Sequence, residues 1–274
     1  MVAKCNDIAA RQNDGQFLEF QAAKNWLYDR ARLVSRVQAW LAVVGPLVLA
    51  TVKLVDPGFS PWAALYAVFA LLLEPELDDL QERLRSHAAR VQERFDRELF
   101  GLPWPTGAIG PQPSDEDVRR WGRRYRARMS TWKDWYPPQV SNLPLAVARL
   151  ACQRTNGFWD SALRDRYATG LSWAGLIVVG AVLVAGLARG MTVLEMVTLG
   201  VFLTPVFRWL QRTARRQRSS ATSRRRLFEW AISLCEDWQS GRVSDESLTL
   251  QAAEIQRETF EQRKTSPMIP RWLY

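Results

Sequence analysis

The stretch LSWAGLIVVGAVLVAGLA, residues 171–188, contains no charged side chain. An α-helix of this length is roughly 27 Å long, close to the ~30 Å thickness of the hydrocarbon core of a bilayer. The stretch is the clearest candidate for a membrane-spanning helix in this chain of 274 residues, whose net charge is +9. Apolar blocks alternate with heavily charged blocks along the sequence, and this division is typical of a membrane protein.

Three further apolar segments predict additional spans: residues 37–55, 61–73 and 192–210. The first contains Pro46, and proline is tolerated in a span when neighbouring groups satisfy the backbone. The second is short, but Ser60 and Pro61 before it suit an N-cap and the first helical position. The four segments therefore predict two helical hairpins in the membrane.

Glu195 lies within the last of these segments, and two interpretations of it are open. An acid inside a span is a functional hypothesis by default. The order Thr192-Val-Leu-Glu195 also fits a capping box, in which a Glu at the third helical position bonds back to the Thr backbone. The capping interpretation is favoured, and it places Glu195 in the first turn of the helix, near the membrane surface.

The distribution of basic residues predicts the orientation. The two short outer loops hold only Lys53 and Arg189, whereas a dense arginine cluster follows the fourth segment. The positive-inside rule then places both termini and the middle region in the cytosol. We expect an all-α membrane protein with a helical cytosolic bundle. The predicted domains are an N-terminal helix (1–36), a first hairpin (37–77), a cytosolic stalk and domain (78–168), a second hairpin (169–210) and a cytosolic tail (211–274).

Helical periodicity extends through the predicted cytosolic parts. From Leu77 onwards, apolar residues recur every three or four positions, which predicts a long core-facing or coiled-coil stalk helix that continues the second span past Pro75. Residues 100–113 are rich in Gly and Pro and predict a loop. Ser114 and Ser244 are predicted to cap two further helices.

The helix predicted to follow Ser114 carries an apolar stripe from Val118 to Trp132. Its other faces hold six arginines within ten residues: Arg119, Arg120, Arg123, Arg124, Arg126 and Arg128. Such a cluster suits phosphate, either in lipid headgroups or in a bound ligand. A solvated face beside an anionic membrane is the favoured interpretation.

The sequence contains no familiar catalytic or metal-binding motif. We find no P-loop, no G-x-G-x-x-G, no G-x-S-x-G and no H-E-x-x-H. Three scattered cysteines and one histidine, His87, do not make a zinc cluster, and the thiols are expected to be reduced. We therefore predict no catalytic residue, no metal and no cofactor, and nothing in the sequence argues for an enzyme.

The segment KDWYPPQVSNLPLAVARLACQRTNGFWDSALRDRY, residues 133–167, holds the candidate site. Its candidate residues are Trp135, Tyr136, Arg154, Asn156, Trp159, Asp160 and Arg164. As a ligand site, the arginines would contact phosphates while a tryptophan stacks a base. As a structural joint beside the membrane, Asp160 would pair with an arginine and Trp159 would pack on the stalk. The joint is favoured, because a carboxylate repels phosphate unless an arginine neutralises it.

Several motifs of the chain carry a resemblance to a known family. They are RQN (11–13), LYDRAR (27–32), DWYP (134–137), LPL (143–145), ARLACQRTN (148–156) and WDSALRDRY (159–167). With these motifs and its two-hairpin layout, the chain resembles the SMODS-associated four-transmembrane family, effectors of bacterial cyclic-nucleotide antiphage systems. The similarity spans nearly the whole chain, although the loop at 100–113 and the C-terminal PRWLY lie outside the matching motifs.

The resemblance implies a pore-forming effector, not an enzyme. It implies a homo-oligomer in the bacterial inner membrane, in contact with its lipids, that disrupts this membrane and arrests or kills the infected cell. It also implies a cyclic di- or oligonucleotide as regulatory ligand, made by an adjacent cyclase or a minimal CRISPR-type polymerase, and no DNA or RNA substrate. The nucleotide activates the effector in most such systems and inhibits it in a related arrangement, and whether it activates or inhibits this chain stays open.

The alternative function is a membrane-anchored scaffold that recruits a protein partner through its basic bundle and forms no pore.

Overall fold

The computed structural model describes residues 6–55 and 60–273, with side chains placed throughout except at 53–55, 60 and 126–130. Ten α-helices are described: α1 (Ile8–Arg11), α2 (Gly15–Ala39), α3 (Gly45–Val55), α4 (Ser60–Phe100), α5 (Thr106–Ile109), α6 (Asp115–Gly122), α7 (Leu145–Ala188), α8 (Val193–Phe202), α9 (Thr204–Gln239) and α10 (Asp245–Thr265). A π-helical turn (Trp40–Val44) joins α2 to α3, and 3₁₀ segments occupy Arg123–Trp132, Pro138–Asn142 and Arg271–Leu273. No β-strand occurs in the described ranges, so the all-α prediction is confirmed there.

The described residues form two compact units. The first unit lies within Met1–Ala31, Glu82–Ala162 and Ser220–Ser266, and the second within Arg32–Gln81, Leu163–Ser219 and Pro267–Tyr274. Helices α4, α7 and α9 each contribute residues to both units. The five domains predicted from the sequence stay a prediction, because these units are assembled from segments that are distant along the chain.

The core of the first unit contains the apolar face of the stalk helix. In α4, Val91, Phe95 and Leu99 are buried, as the three- and four-residue spacing predicts. The ring of Phe95 meets the edge of Phe17 from α2 at a centroid distance of 5.7 Å. The stalk is therefore core-facing over its C-terminal part, whereas Leu80, near the start of the predicted stripe, is 47% exposed. The helix runs without a break from Ser60 through Pro75 as predicted.

Local capping signals in the sequence are confirmed at three helix starts. The Ser114 side chain accepts a hydrogen bond from the Asp117 backbone N–H at 3.1 Å, and Ser244 accepts one from Ser247 at 3.3 Å. The Thr192 backbone N–H donates to a Glu195 carboxylate oxygen at 2.7 Å, while the Glu195 N–H donates to the Thr192 hydroxyl at 3.3 Å. The capping box predicted for Thr192 and Glu195 is thus present.

The arginine-rich helix differs from its prediction. An α-helix was expected from Ser114 to Trp132, but α6 ends at Gly122 and the chain continues as a 3₁₀ segment. Repulsion between arginines four residues apart does not by itself account for the change, because Arg208, Arg212 and Arg216 have the same spacing within the α-helix α9. At the end of α6, Gly122 packs closely on α2, and a Cβ there would lie 3.3 Å from the Glu19 carbonyl oxygen.

Helices long and apolar enough to cross a membrane occur in the chain. They are Gly15–Val52, which includes α2, the π turn and part of α3, and α7. The pair α8 and α9 passes the same test together, but it is bent by 53° at Leu203, next to Pro205, which lacks a backbone N–H. The apolar segment 192–210 is therefore divided between two helices, and a span there stays a prediction. The apolar run at 61–73 is too short to be counted among these helices, so a total of four spans stays a prediction.

Candidate functional site

The N-terminal RQN motif holds the WYP turn in the first unit. The Gln12 side-chain amide donates to the Tyr136 carbonyl at 2.8 Å, and its oxygen accepts from the Tyr136 backbone N–H at 2.8 Å. The Asn13 amide donates to the Asp134 carboxylate at 2.9 Å and accepts from the Asp134 N–H at 3.0 Å. Asp134 has a φ of 55°, a conformation that such side-chain bonds stabilise. Two motifs far apart in the sequence thus form one local structure.

Asn156 joins two of the predicted site residues. Its side-chain oxygen accepts from the Trp135 indole N–H at 3.1 Å, and its amide donates to the Tyr136 hydroxyl at 2.8 Å. Tyr136 is buried, and burial raises the pKa of its hydroxyl. Trp135 is 56% exposed, with the Lys24 ammonium 5.9 Å from its ring centroid. The arrangement fixes the indole while leaving much of it open to a stacking partner.

Three further candidates lie on α7, and two of them, Arg154 and Asp160, contact α9. The Arg154 guanidinium lies 5.5 Å from the ring centroid of Phe228, and it is exposed to solvent. Trp159 is 69% exposed, and its ring meets the edge of Phe158 at 5.5 Å within α7. Asp160 forms an ion pair with Arg224 of α9. In the sequence analysis, a structural joint was expected to pair Asp160 with an arginine, and this pair is present.

Arg164, the last candidate, is buried in the second unit. Its guanidinium donates to the Gln217 side-chain oxygen at 2.7 Å and to the Pro267 carbonyl at 3.0 Å. Gln217 in turn donates to the Met268 carbonyl at 3.0 Å. Arg164 thus binds backbone and amide groups of its own unit. Of the seven candidates, Trp135, Arg154 and Trp159 are exposed, and of these three Trp135 is also hydrogen-bonded to Asn156.

A buried polar cluster in the first unit was not predicted. Arg97 donates to Glu93 at 2.5 Å, and Arg263 donates to Asp96 at 2.5 Å. The Gln256 amide donates to both acids, at 2.7 Å to Glu93 and 3.1 Å to Asp96. Burial raises the pKa of Glu93 to about 7, although Arg263 and Arg97 oppose this shift. The sequence signal that could have predicted this cluster is the four-residue spacing of Glu93 and Arg97 on the stalk helix.

The arginine-rich segment forms a concave surface in the first unit. Arg119, Arg120, Arg123 and Arg124 line, with Glu116, a hollow of about 410 Å³. All four arginines are exposed. Arg120 pairs with Asp117 at 2.7 Å, and the Arg124 guanidinium lies 4.9 Å from the ring centroid of Trp26. The surface can hold phosphate groups, and both interpretations from the sequence, a solvated face and a ligand site, stay predictions.

His87 and Cys152, two side chains that often act in catalysis, are packed against other residues or buried. The His87 ring is 5.6 Å from that of Trp121, and burial lowers its pKa. Cys152 is buried, and burial strongly raises the pKa of its thiol, which disfavours the reactive thiolate. Among the described residues, no group of three or more His, Cys, Asp or Glu side chains is arranged to hold a metal ion.

Comparison with known proteins gives one family and one relative. The chain matches the family described as SMODS-associating 4TM effector domain over residues 6–274. It is 21% identical over 271 residues to a protein of Bacillus cereus (strain VD146) described as a probable CBASS effector molecule, and the match covers 96% of this chain and 90% of that protein. No solved structure matches the chain.

Proposed function

We propose that this chain, which belongs to the SMODS-associating 4TM effector domain family, is a membrane effector of a CBASS-type bacterial antiphage defence system. The observation that carries the proposal is that this family's chain combines helices apolar enough to span a membrane with a polar helical unit that exposes arginines and tryptophans. The proposed site is the bacterial inner membrane, with both termini in the cytoplasm. The proposed role is that of an effector, not an enzyme.

A cyclic di- or oligonucleotide is the proposed signal, supplied by a cyclase or a minimal polymerase. Such a ligand needs cations for its phosphates and flat surfaces for its bases. Exposed Arg154, Trp135 and Trp159 in the first unit offer both kinds of group. The ion pair between Asp160 and Arg224 supports this role as well, because it neutralises the acid that would repel phosphate.

Ligand binding would act by shifting the population of two arrangements of the helices. Helices α4, α7 and α9 contribute residues to both units, so a change in the first unit has a covalent route to the apolar helices. A few spans make a poor pore alone. We therefore propose that several copies assemble in the membrane and disrupt it.

Ion flux through liposomes that contain the purified full-length chain tests the proposal. Vesicles of defined lipid composition would be loaded with a fluorescent potassium reporter and exposed to a panel of cyclic dinucleotides and cyclic trinucleotides. Flux that rises or falls with one of these nucleotides supports a gated effector, and the direction of the change gives the sign of gating. Flux that does not change with any member of the panel would exclude gating by the cyclic dinucleotides and trinucleotides tested.

A scaffold without a pore is the second candidate function. The exposed arginines of the concave surface favour it, because a dense basic surface also suits an acidic protein partner. The two functions differ in the same experiment. A scaffold gives no flux with or without nucleotide, even when the protein is inserted and assembled in the vesicles.

A further inference from the structure

The second unit contains a cavity of about 780 Å³ whose two parts differ in chemistry. This volume lies within the range of about 300–1,000 Å³ that is usual for ligand sites. It is lined mainly by residues of α2, the π-helical turn, α3, α4, α8 and α9. One part is apolar, and the other carries arginines and amides.

Small side chains on α4 create the apolar part. Ala63, Ala67 and Ala70 fall at spacings of four and three residues, so they share one face of the helix. Apolar residues of other helices also line the cavity, among them Leu49 and Phe202. Because alanine fills little volume, this face leaves room for a hydrocarbon chain between the helices.

Arginines of α9 create the basic part. Arg208, Arg212 and Arg216 are four residues apart, and all three line the cavity. Arg212 pairs with Glu74 at 3.3 Å. The other lining acid, Asp78, accepts a hydrogen bond from Gln38 at 2.6 Å, a neutral partner that leaves its charge in place.

Two of these arginines therefore carry available positive charge. Among the described residues, Arg208 and Arg216 have no carboxylate partner and no hydrogen-bond partner. An anion with an apolar tail would complement both parts of the cavity at once. A nucleotide would leave the alanine face without a matching group, and an uncharged lipid would leave the two guanidinium groups unpaired.

We propose that this cavity binds an anionic phospholipid, with an acyl chain along the alanine face of α4 and the phosphate at Arg208 and Arg216. The inference rests on the membrane location in the proposed function, but not on pore formation or nucleotide gating. Assembly and flux would then depend on the anionic lipid content of the membrane.

Native mass spectrometry of the full-length protein tests the site. The protein would be purified in detergent supplemented with equal amounts of phosphatidylglycerol and phosphatidylcholine. We expect phosphatidylglycerol to be retained preferentially. The double variant Arg208→Gln/Arg216→Gln should lower its retention about tenfold or more, since each lost charge-assisted bond is equivalent to roughly a factor of ten. The double variant to Lys keeps the charge and should keep most of the preference.

Matched variants separate the site from general effects. Arg215→Gln removes a neighbouring exposed arginine that does not line the cavity, and it should leave retention within about twofold. Ala67→Trp should fill the apolar part and reduce retention of both lipids, whereas Val68→Trp, at a neighbouring position that does not line the cavity, should not. Circular dichroism on each variant checks that it is folded.

Three results would overturn the inference. They are equal retention of the two lipids by the wild type, undiminished preference in the glutamine double variant, and undiminished retention in folded Ala67→Trp. None of these bears on gating, which the flux experiment measures. A protein that does not sediment with membranes would contradict the proposed function itself. A protein that sediments with membranes but shows no preference for phosphatidylglycerol would contradict only the lipid site.

Discussion

Asp160 of α7 and Arg224 of α9 form an ion pair in the first unit, with only 20% and 8% of their side chains exposed. The pair lies beside the contact between Phe158 and Phe228, whose ring centroids are 5.6 Å apart. An aromatic contact and an ion pair therefore join the same two helices. Arg154, six residues before Asp160 on the same helix, stays exposed to solvent.

Removing one partner of this pair should destabilise the first unit. Arg224→Gln leaves the Asp160 carboxylate largely buried without its cation, a change that costs about 3 kcal/mol in comparable buried pairs. The measurement is denaturant unfolding of the full chain in detergent, followed by circular dichroism. Arg226→Gln, at an exposed position of the same helix, is the control and should change stability by less than about 0.5 kcal/mol. Equal stability of the two variants would contradict an energetic role for the pair.

Arg154→Ala should separate ligand binding from structure. If Arg154 contacts a nucleotide phosphate, the variant should weaken cyclic-nucleotide binding by about 1.5–3 kcal/mol without altering assembly. We expect this result, because the side chain is exposed and its described contact is with the Phe228 ring. Calorimetry and size-exclusion chromatography on the same sample measure both properties, with exposed Arg166→Ala as control. Normal affinity with failed assembly or gating would assign Arg154 to a structural joint, and normal affinity with normal flux would exclude both roles.

Glu93 should make the stability of the first unit depend on pH. Burial raises the pKa of Glu93 to about 7 in the folded state, well above that of an exposed carboxyl. The folded state then binds a proton that the unfolded state has lost, so the contribution of Glu93 to stability is fully present below about pH 4.5 and is lost as pH rises through about 7. The expected loss from this group is about 3 kcal/mol between about pH 4.5 and pH 8.

Unfolding of wild type and Glu93→Gln across this pH range measures the effect. The variant cannot titrate at this position and should show a flatter profile. Exposed Glu116→Gln should keep the slope of the wild type. An unchanged slope in Glu93→Gln would mean that Glu93 is ionised in the folded protein throughout.

Glu195→Gln should retain most of the ion flux. Glutamine can also close a capping box, and the Thr192–Glu195 box explains the acid without a role in ion passage. The test is liposome flux at equal protein incorporation and equal oligomer size. Loss of all flux under these conditions would identify Glu195 as a pore or gate residue.

Both termini and the middle region should report the cytoplasm. The basic residues that flank the apolar segments on one side motivate this orientation. A reporter fused at the C-terminus, or inserted beside Gly107, where a side chain would meet no neighbour within 4 Å, should give a cytoplasmic signal. A periplasmic signal at either position would reverse or break the predicted topology.

Local sequence signals predicted the helices of this protein and many of their boundaries. The caps at Ser114, Thr192 and Ser244 depend on residues three positions apart, so they can be recognised in one short window. The 3₁₀ segment after Gly122 was not predicted, because the apolar stripe from Val118 to Trp132 fits an α-helix and no local signal within it marks a change of helix type. The bend at Leu203 is intermediate, since Pro205 gives a local reason for a break but not its angle of 53°.

By itself, the sequence determined the all-helical class, the apolar segments and the buried face of α4 from Val91 onwards, because these follow from side chains three or four residues apart on one helix. Only the tertiary structure decided which charges meet. Asp160 pairs with Arg224 from a helix more than sixty positions away, and Asp96 binds Arg263 across an even longer separation. The cavity of the second unit also depends on tertiary structure, because its alanines lie on α4 and its arginines on α9. Periodicity says which side chains share a face, but the partner of a face is set by how whole helices pack, and many arrangements of equal periodicity differ in exactly those contacts.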